Sequence, residues 1–252
     1  MLPILFAFLI VAHRGASADA PENTIPAFEL AWEQGADAIE GDFHLTKDGH
    51  IVCIHDSDTE KVADKTLVVA QSTLAELQEL DVGQWKDPKF AGTRIPTLEE
   101  VIGTVPKNKK IYVEVKVGPE MVKPLKQELS ESSLNDDQIV VISFEQDFVT
   151  AWKEACPDSK TMLLISYDKK KRNLSPSAEE TLAILERTGA DGLSTNTHPK
   201  VDSEFMKQIQ DSGYEHHAWT INDVKTARRF ADYGTLSITT DRPGALRREL
   251  SP

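Results

Sequence analysis

Along this chain, short runs of apolar and β-branched residues alternate with stretches whose apolar positions recur three and four residues apart. The first pattern is that of strands, the second that of helices packed on one face. The runs predict strands at 4–13, 37–45, 110–117, 138–144, 160–167, 190–195, 214–221 and 235–240. Helical periodicity fills the spaces between them, in TIPAFELAWEQG, TLEEVIGTV, EMVKPLKQEL, QDFVTAWKEA, AEETLAILERTG, SEFMKQIQDSG and DVKTARRFADYG. Several of these segments end in glycine, a common left-handed stop, and the first opens at Thr24 with Pro26 just inside it. Repeated strand–helix alternation requires parallel strands joined by right-handed crossovers. About eight such units in 252 residues predict an α/β fold, a closed (β/α)8 TIM barrel spanning 1–252 as a single domain.

Two places break the rhythm. In LTKDGHIVCIHD the Asp48-Gly49 pair has the form of a tight hairpin turn, so 50–55 is expected to be an extra strand beside the second. Residues 57–96 then form an excursion between strand 2 and helix 2, with one helix in STLAELQEL and a loop through VGQWKDPKFAGTRIPTL. Connections this long are usually functional or lid-like.

Composition narrows the partners. A net charge of −13 argues against nucleic acid or an anionic membrane surface. The two cysteines, Cys53 and Cys156, suit neither a disulfide framework nor a zinc site and are expected to be free thiols. The apolar opening MLPILFAFLIVA is shorter than the roughly 20 residues of a membrane span. It also lacks the basic start and small-residue cleavage site of a secretory signal. A buried first strand is expected, with no stable membrane insertion. A cytoplasmic location is favoured, and an upstream export signal is the alternative.

The candidate chemistry lies at strand ends, where barrels of this type place their active sites. AHRGA puts His13 and Arg14 after strand 1, and IEGD puts Glu40 and Asp42 late in strand 2. YVEVK puts Glu114 and Lys116 on one face of strand 3. AWTIND places Trp219 at the end of strand 7, and TTDRPG places Asp241 and Arg242 just past strand 8. Paired carboxylates on the inward face of an apolar strand are costly without a compensating cation. Glu40, Asp42 and Glu114 together make an all-oxygen site, which favours Mg2+, Ca2+ or Mn2+ over zinc. A metal with Arg14 and Lys116 beside it can neutralise a phosphate, and the histidine pair His13 and His55 can exchange protons near neutral pH. Read singly, each residue has a plainer explanation: a strand-end histidine, a surface arginine, a self-contained Glu114–Lys116 pair, a core tryptophan. His216 and His217 are read as structural or exposed, and Arg172, in DKKKRN, as part of a solvated loop.

These residues resemble the glycerophosphodiester phosphodiesterase family. The likeness runs through AHRGASADAPENTIPAFELAWEQGADAIEGDFHLTKDGHIVCIHD, IPTLEEVI, VEVK, WTIND and TDRPG, in order and over nearly the whole chain. It implies metal-dependent hydrolysis of small-molecule glycerophosphodiesters to sn-glycerol 3-phosphate and an alcohol. By resemblance, His13 and His55 match the acid/base pair, Arg14 and Lys116 the phosphate-side cations, and Glu40, Asp42 and Glu114 the metal ligands. Glu22 and Asn23 of the PENT turn would support the site, and Phe144 and Trp219 would form the apolar wall receiving the glycerol. Thr24 in the same turn has the plainer role of helix cap. Residues 57–96 resemble the family's small insertion over the barrel mouth. The stretch SDTEKVADKTLVVAQ departs from the family pattern, so contacts to the alcohol do not carry over. A lysophospholipase D-type lipid phosphodiesterase and a non-catalytic barrel that binds phosphorylated ligands are the rival readings.

Overall fold

The computed structural model describes residues 8–250. Its strands are β1 (Leu9–His13), β2 (Ala38–Leu45), β3 (Ile51–Cys53), β4 (Lys110–Val115), β5 (Ile139–Ser143), β6 (Thr161–Ile165), β7 (Gly192–Asn196), β8 (Glu215–Trp219) and β9 (Ser237–Thr240). All but β3 run parallel, in the order β1-β2-β4-β5-β6-β7-β8-β9, and the ring closes where β9 returns to β1. Val11 marks that closure, opposite Ala38 on one side and Thr239 on the other. The helices are α1 (Ile25–Glu33), α2 (Leu74–Gln78), α3 (Leu98–Ile102), α4 (Val122–Glu131), α5 (Gln146–Ala155), α6 (Ala178–Thr188), α7 (Ser203–Asp211), α8 (Val224–Asp232) and α9 (Pro243–Leu250). The structure is thus the expected (β/α)8 barrel. Positions 4–7 of the expected first strand lie outside the described residues.

Strand parity sorts the side chains. On β2, Ile39 and Phe43 face outward into the layer shared with the helices, where Phe28, Phe148, Leu185 and Phe230 are also buried. Each such side chain stabilises the fold by roughly 1.5–3 kcal/mol through removal from water. Ala38 faces the barrel interior with Val11, Tyr112, Val140, Ile142, Met162 and Leu164. Glu40 and Asp42 share that inward parity, so the pleat alone sends both carboxylates into the barrel.

β3 pairs antiparallel with β2, Phe43 opposite Cys53 and Leu45 opposite Ile51. The turn between them is the expected one, with Gly49 at φ +85°, a conformation that a side chain would strain. The chain from 57 to 96 packs on its own small core of Val52, Ile54, Val69, Leu77, Leu80, Val82 and Ile95. Its expected helix is the single-turn α2, opened by a capping box in which Thr73 and Glu76 bond each other's backbone amides. The Lys86 ammonium donates to the Ser17 carbonyl at 2.7 Å, tying this segment to the loop after β1. At the start of α1, Thr24 occupies the cap position, but its hydroxyl donates to the Pro21 carbonyl instead of capping the helix. Among the described residues no helix is long and apolar enough to cross a membrane.

Candidate active site

The inward parity of β2 and its register with β4 build the centre of the site. Asp42 lies directly opposite Glu114, and Glu40 opposite Tyr112. Glu40, Asp42 and Glu114 are all buried, and each brings a carboxylate oxygen within 4.8 Å of the other two. Asp42 is at the focus. Its Oδ1 lies 3.3 Å from Lys116 Nζ, its Oδ2 lies 3.2 Å from Arg14 Nε, and Oδ2 also accepts from Asn23 Nδ2 at 2.8 Å. The Arg14 Nε–Asp42 approach is an ion pair without hydrogen-bond alignment, since Nε has no bonded partner. Lys116 Nζ donates to Glu114 Oε1 at 2.7 Å. Glu40 Oε2 accepts from the Arg14 amide at 2.9 Å, while its buried Oε1 has no partner.

A bent loop after β1 delivers these partners. Arg14 and Asn23 both adopt left-handed backbone, at φ 55° and 58°, an uncommon conformation for residues other than glycine. The bend aims the Arg14 amide at Glu40 and lets Arg14 Nη1 donate to Glu22 Oε1 at 2.8 Å. Asn23 bonds Asp42 twice, its Oδ1 also accepting from the Asp42 amide at 3.1 Å. Strain concentrated on residues that hold an active-site carboxylate fits a positioning role.

The two histidines are each oriented by a carboxylate. His13 Nδ1 lies 2.6 Å from Asp241 Oδ1, and Asp241 in turn accepts from Asn222 Nδ2 at 2.6 Å and from the Ser17 hydroxyl at 3.3 Å. His55 Nδ1 lies 2.8 Å from Asp56 Oδ1, which pairs through its other oxygen with Lys61. Each ring is thereby turned so that Nε2 is its free nitrogen. A residue not singled out in the sequence, the buried His44, places its Nε2 3.1 Å from the His55 carbonyl and fixes the chain at that point.

These groups surround one cleft of about 170 Å3 lined by His13, Arg14, Glu40, His55, Glu114 and Lys116 on its charged side. Phe144 and Trp219 form the opposite wall, meeting edge to face with ring centroids 5.6 Å apart. The structure therefore brings together the predicted catalytic, metal and substrate residues, Glu22, Asn23 and Asp42 lying just behind the lining, while Arg242 turns away to pair with Glu249 at 3.0 Å. It keeps others apart: His216 and His217 are buried structural residues, Arg172 is exposed, and Cys53 and Cys156 are free thiols. The parts not read beforehand are the orienting roles of Asp241 and Asp56 and the anchor His44. Asp241 in TDRPG was visible as a polar residue at a strand end, but its partner is set by barrel closure, whereas Asp56 in HD orients its immediate neighbour His55. The sequence separation of His13 and Asp241 is 228 residues.

The charges are strongly coupled. Burial, reinforced by Asp42 and then Glu114, pushes the Glu40 carboxyl well above the usual carboxylate range. Burial also raises Glu114, again with Asp42 adding to it and Lys116 opposing. For Asp42 burial acts upward too, but Lys116 and Arg14 outweigh it and hold the group ionised below its ordinary value. Burial, helped by the nearby Arg14 and Lys116, lowers the His55 imidazole despite the pull of Asp42. Three carboxylates facing two cations, with one carboxylate oxygen unbonded, leave room for one more positive charge. All donors of the trio are hard oxygens, so the residues present fit a divalent cation.

A barrel whose mouth collects two cations, carboxylate-backed histidines and a metal-competent acidic trio has the equipment of a phosphate-ester hydrolase. The sequence profile of the glycerophosphoryl diester phosphodiesterase family matches residues 13–245. The chain is 36% identical over 237 residues to YhdW of Bacillus subtilis (strain 168), covering 93% of this chain and 94% of that one. It is 32% identical over 245 residues to the glycerophosphodiester phosphodiesterase of Caldanaerobacter subterraneus subsp. tengcongensis, covering 94% and 96% of the two chains. Among solved structures, a phosphodiesterase from Oleispira antarctica in complex with the product sn-glycerol-3-phosphate superposes with a TM-score of 0.85 at 27% identity, over 95% of each chain. The chain belongs to the glycerophosphoryl diester phosphodiesterase family and shares its enzyme class.

Proposed function

We propose that this protein hydrolyses glycerophosphodiesters to sn-glycerol 3-phosphate and an alcohol, with a divalent cation held by Glu40, Asp42 and Glu114. The observation that carries this reading is the union, at one cleft, of that buried trio with two histidines that each have their own carboxylate. Mg2+ or Ca2+ suits the all-oxygen donors, and Mn2+ is compatible with them. When bound, such a cation supplies Lewis-acid neutralisation of the phosphate charge.

The chain's own residues do the rest. Arg14 and Lys116 present positive charge to the phosphoryl oxygens as negative charge grows in the transition state. Asp241 and Asp56 each accept from a histidine Nδ1–H, so Nε2 is the atom that exchanges protons with substrate. One of His13 and His55 takes the proton of the oxygen attacking phosphorus, supplied by water or by the neighbouring glycerol hydroxyl. The other, protonated, gives its proton to the alcohol oxygen as the phosphorus–oxygen bond breaks. Where the glycerol hydroxyl attacks, the product of this step is a cyclic phosphate, and water, deprotonated by the histidine that has just given up its proton, then opens it to sn-glycerol 3-phosphate. Phe144 and Trp219 exclude water from the face of the glycerol backbone. Release of sn-glycerol 3-phosphate from glycerophosphocholine tests this. It should be abolished by chelation and restored by added cation, and His13→Ala and His55→Ala should each cost roughly 10²–10⁴-fold. Full activity in both variants would contradict the acid/base assignment, and faster cleavage of lysophosphatidylcholine would favour the lipid-directed alternative.

A further inference from the structure

The basic run DKKKRN takes no part in the cleft described above. It lies in the loop between β6 and α6, at the end of the barrel that holds the site, and Leu164 of β6 lines the cleft itself. β6 stands four places round the ring from β1 in either direction, so this loop faces the Arg14 turn across the mouth. Lys169, Lys170, Lys171 and Arg172 are all exposed, and among the described residues none of their side chains is in an ion pair or hydrogen bond. Lys200, in the neighbouring loop after β7, adds another exposed cation. The carboxylates of these two loops are turned to backbone amides: Asp168 accepts from Lys170, and Asp202 from Glu204 and Phe205.

The loop is also fixed. The Tyr167 amide donates to Asn196 Oδ1 at 2.8 Å, Asn196 Nδ2 donates to the Tyr167 carbonyl at 2.9 Å, and His198 Nε2 lies 3.1 Å from the Lys171 carbonyl. Tyr167 and His198 are buried, so the cations stand on an anchored turn. Like charges crowded on such a turn repel one another, and the cluster becomes favourable only toward an anion outside it. In a chain of net charge −13 it makes one side of the mouth locally positive. We propose that the loop 168–173 is an electrostatic guide that draws net-anionic glycerophosphodiesters to the cleft. This inference rests on the glycerophosphodiesterase reading and deepens it by naming the substrate class. A diester whose alcohol carries a cation is neutral overall and gains little from the guide. One with an uncharged alcohol keeps the full phosphate charge and is attracted.

Ionic strength reads the guide directly, because its field reaches about 30 Å at 0.01 M and only about 8 Å at 0.15 M. Turnover of glycerophosphoglycerol and glycerophosphocholine should be compared at both, in the wild type and in a Lys169→Gln, Lys170→Gln, Lys171→Gln, Arg172→Gln variant. The variant should lower kcat/KM for glycerophosphoglycerol about three- to tenfold at the lower ionic strength, with kcat unchanged, and leave glycerophosphocholine as it was. The difference should shrink at the higher ionic strength, and lysine-to-arginine replacements should behave like the wild type. Equal losses on both substrates, a loss that persists in salt, or no loss would overturn the inference. Calorimetric titration with sn-glycerol 3-phosphate in saturating Mg2+ separates it from the catalytic reading. Binding weakened in the variant only at low ionic strength, in a protein that cleaves no glycerophosphodiester, would support the guide and reject catalysis. Binding equal in both proteins, or absent from both, would reject the guide.

Discussion

The charged cluster at the barrel mouth and His216 of β8 are both buried, yet only the second is fully matched by its neighbours. His216, packed against Phe230 of α8, has Thr195 Oγ1 at one ring nitrogen and Thr235 Oγ1 at the other, both at 3.0 Å. Burial, with His217 adding to it, lowers its pKa to about 3, so the ring is neutral and every polar atom is used. At the mouth, three carboxylates crowd together, Glu40 keeps an unbonded oxygen, and Arg14 and Asn23 hold left-handed backbone. A satisfied buried polar group reads as structure, whereas one left in conflict reads as a site waiting for a ligand.

That contrast can be broken most sharply at Glu40. Removing its charge should eliminate catalysis, since the trio loses a ligand, while relieving repulsion from Asp42 and Glu114. Glu40→Gln should therefore lower kcat/KM by more than about 10²-fold, yet raise the melting temperature of the metal-free protein. Turnover assays and thermal unfolding in chelator check the two signs, and a variant that loses stability would break the comparison. Asp241→Asn should come next. The amide cannot hold His13 in the same proton arrangement, so a loss of roughly 10²-fold in kcat is expected with little change in the melting temperature.

His216 should respond to pH instead. Its pKa is depressed in the folded state, so the unfolded chain takes up the proton first. Stability is then complete above the unfolded value near 6.5 and falls as pH drops toward about 3. The stability lost across that window is up to about 5 kcal/mol. His216→Gln should flatten the acid limb of a stability–pH profile without altering turnover at neutral pH. The smallest effect should come from Thr73→Ala in the insertion, about 1 kcal/mol from the lost capping box, read in chemical denaturation.

The barrel was legible because its strands and helices announce themselves locally. Inward parity on β2 put Glu40 and Asp42 on one face, and the Asp48-Gly49 turn brought His55 back toward the mouth. Less was visible where a role depends on a partner far along the chain. Asp241 meets His13 only once β9 closes on β1, and His44 meets the His55 carbonyl through the hairpin. The left-handed turn at Arg14 has no glycine to signal it, because the hydrogen bond from its amide to Glu40 stabilises a conformation that local propensity disfavours, while Asn23 is a residue type that tolerates it and is held by Asp42.

The central claim is that the buried carboxylates form a divalent-cation site serving the reaction. Calorimetric titration of chelator-treated protein with Mg2+ and with Ca2+, beside a Glu114→Gln variant, tests it most directly. Saturable binding near one ion per chain in the wild type, lost in the variant and paralleled by activity, is the predicted result. No binding by the wild type, or equal binding by Glu114→Gln, would contradict the account.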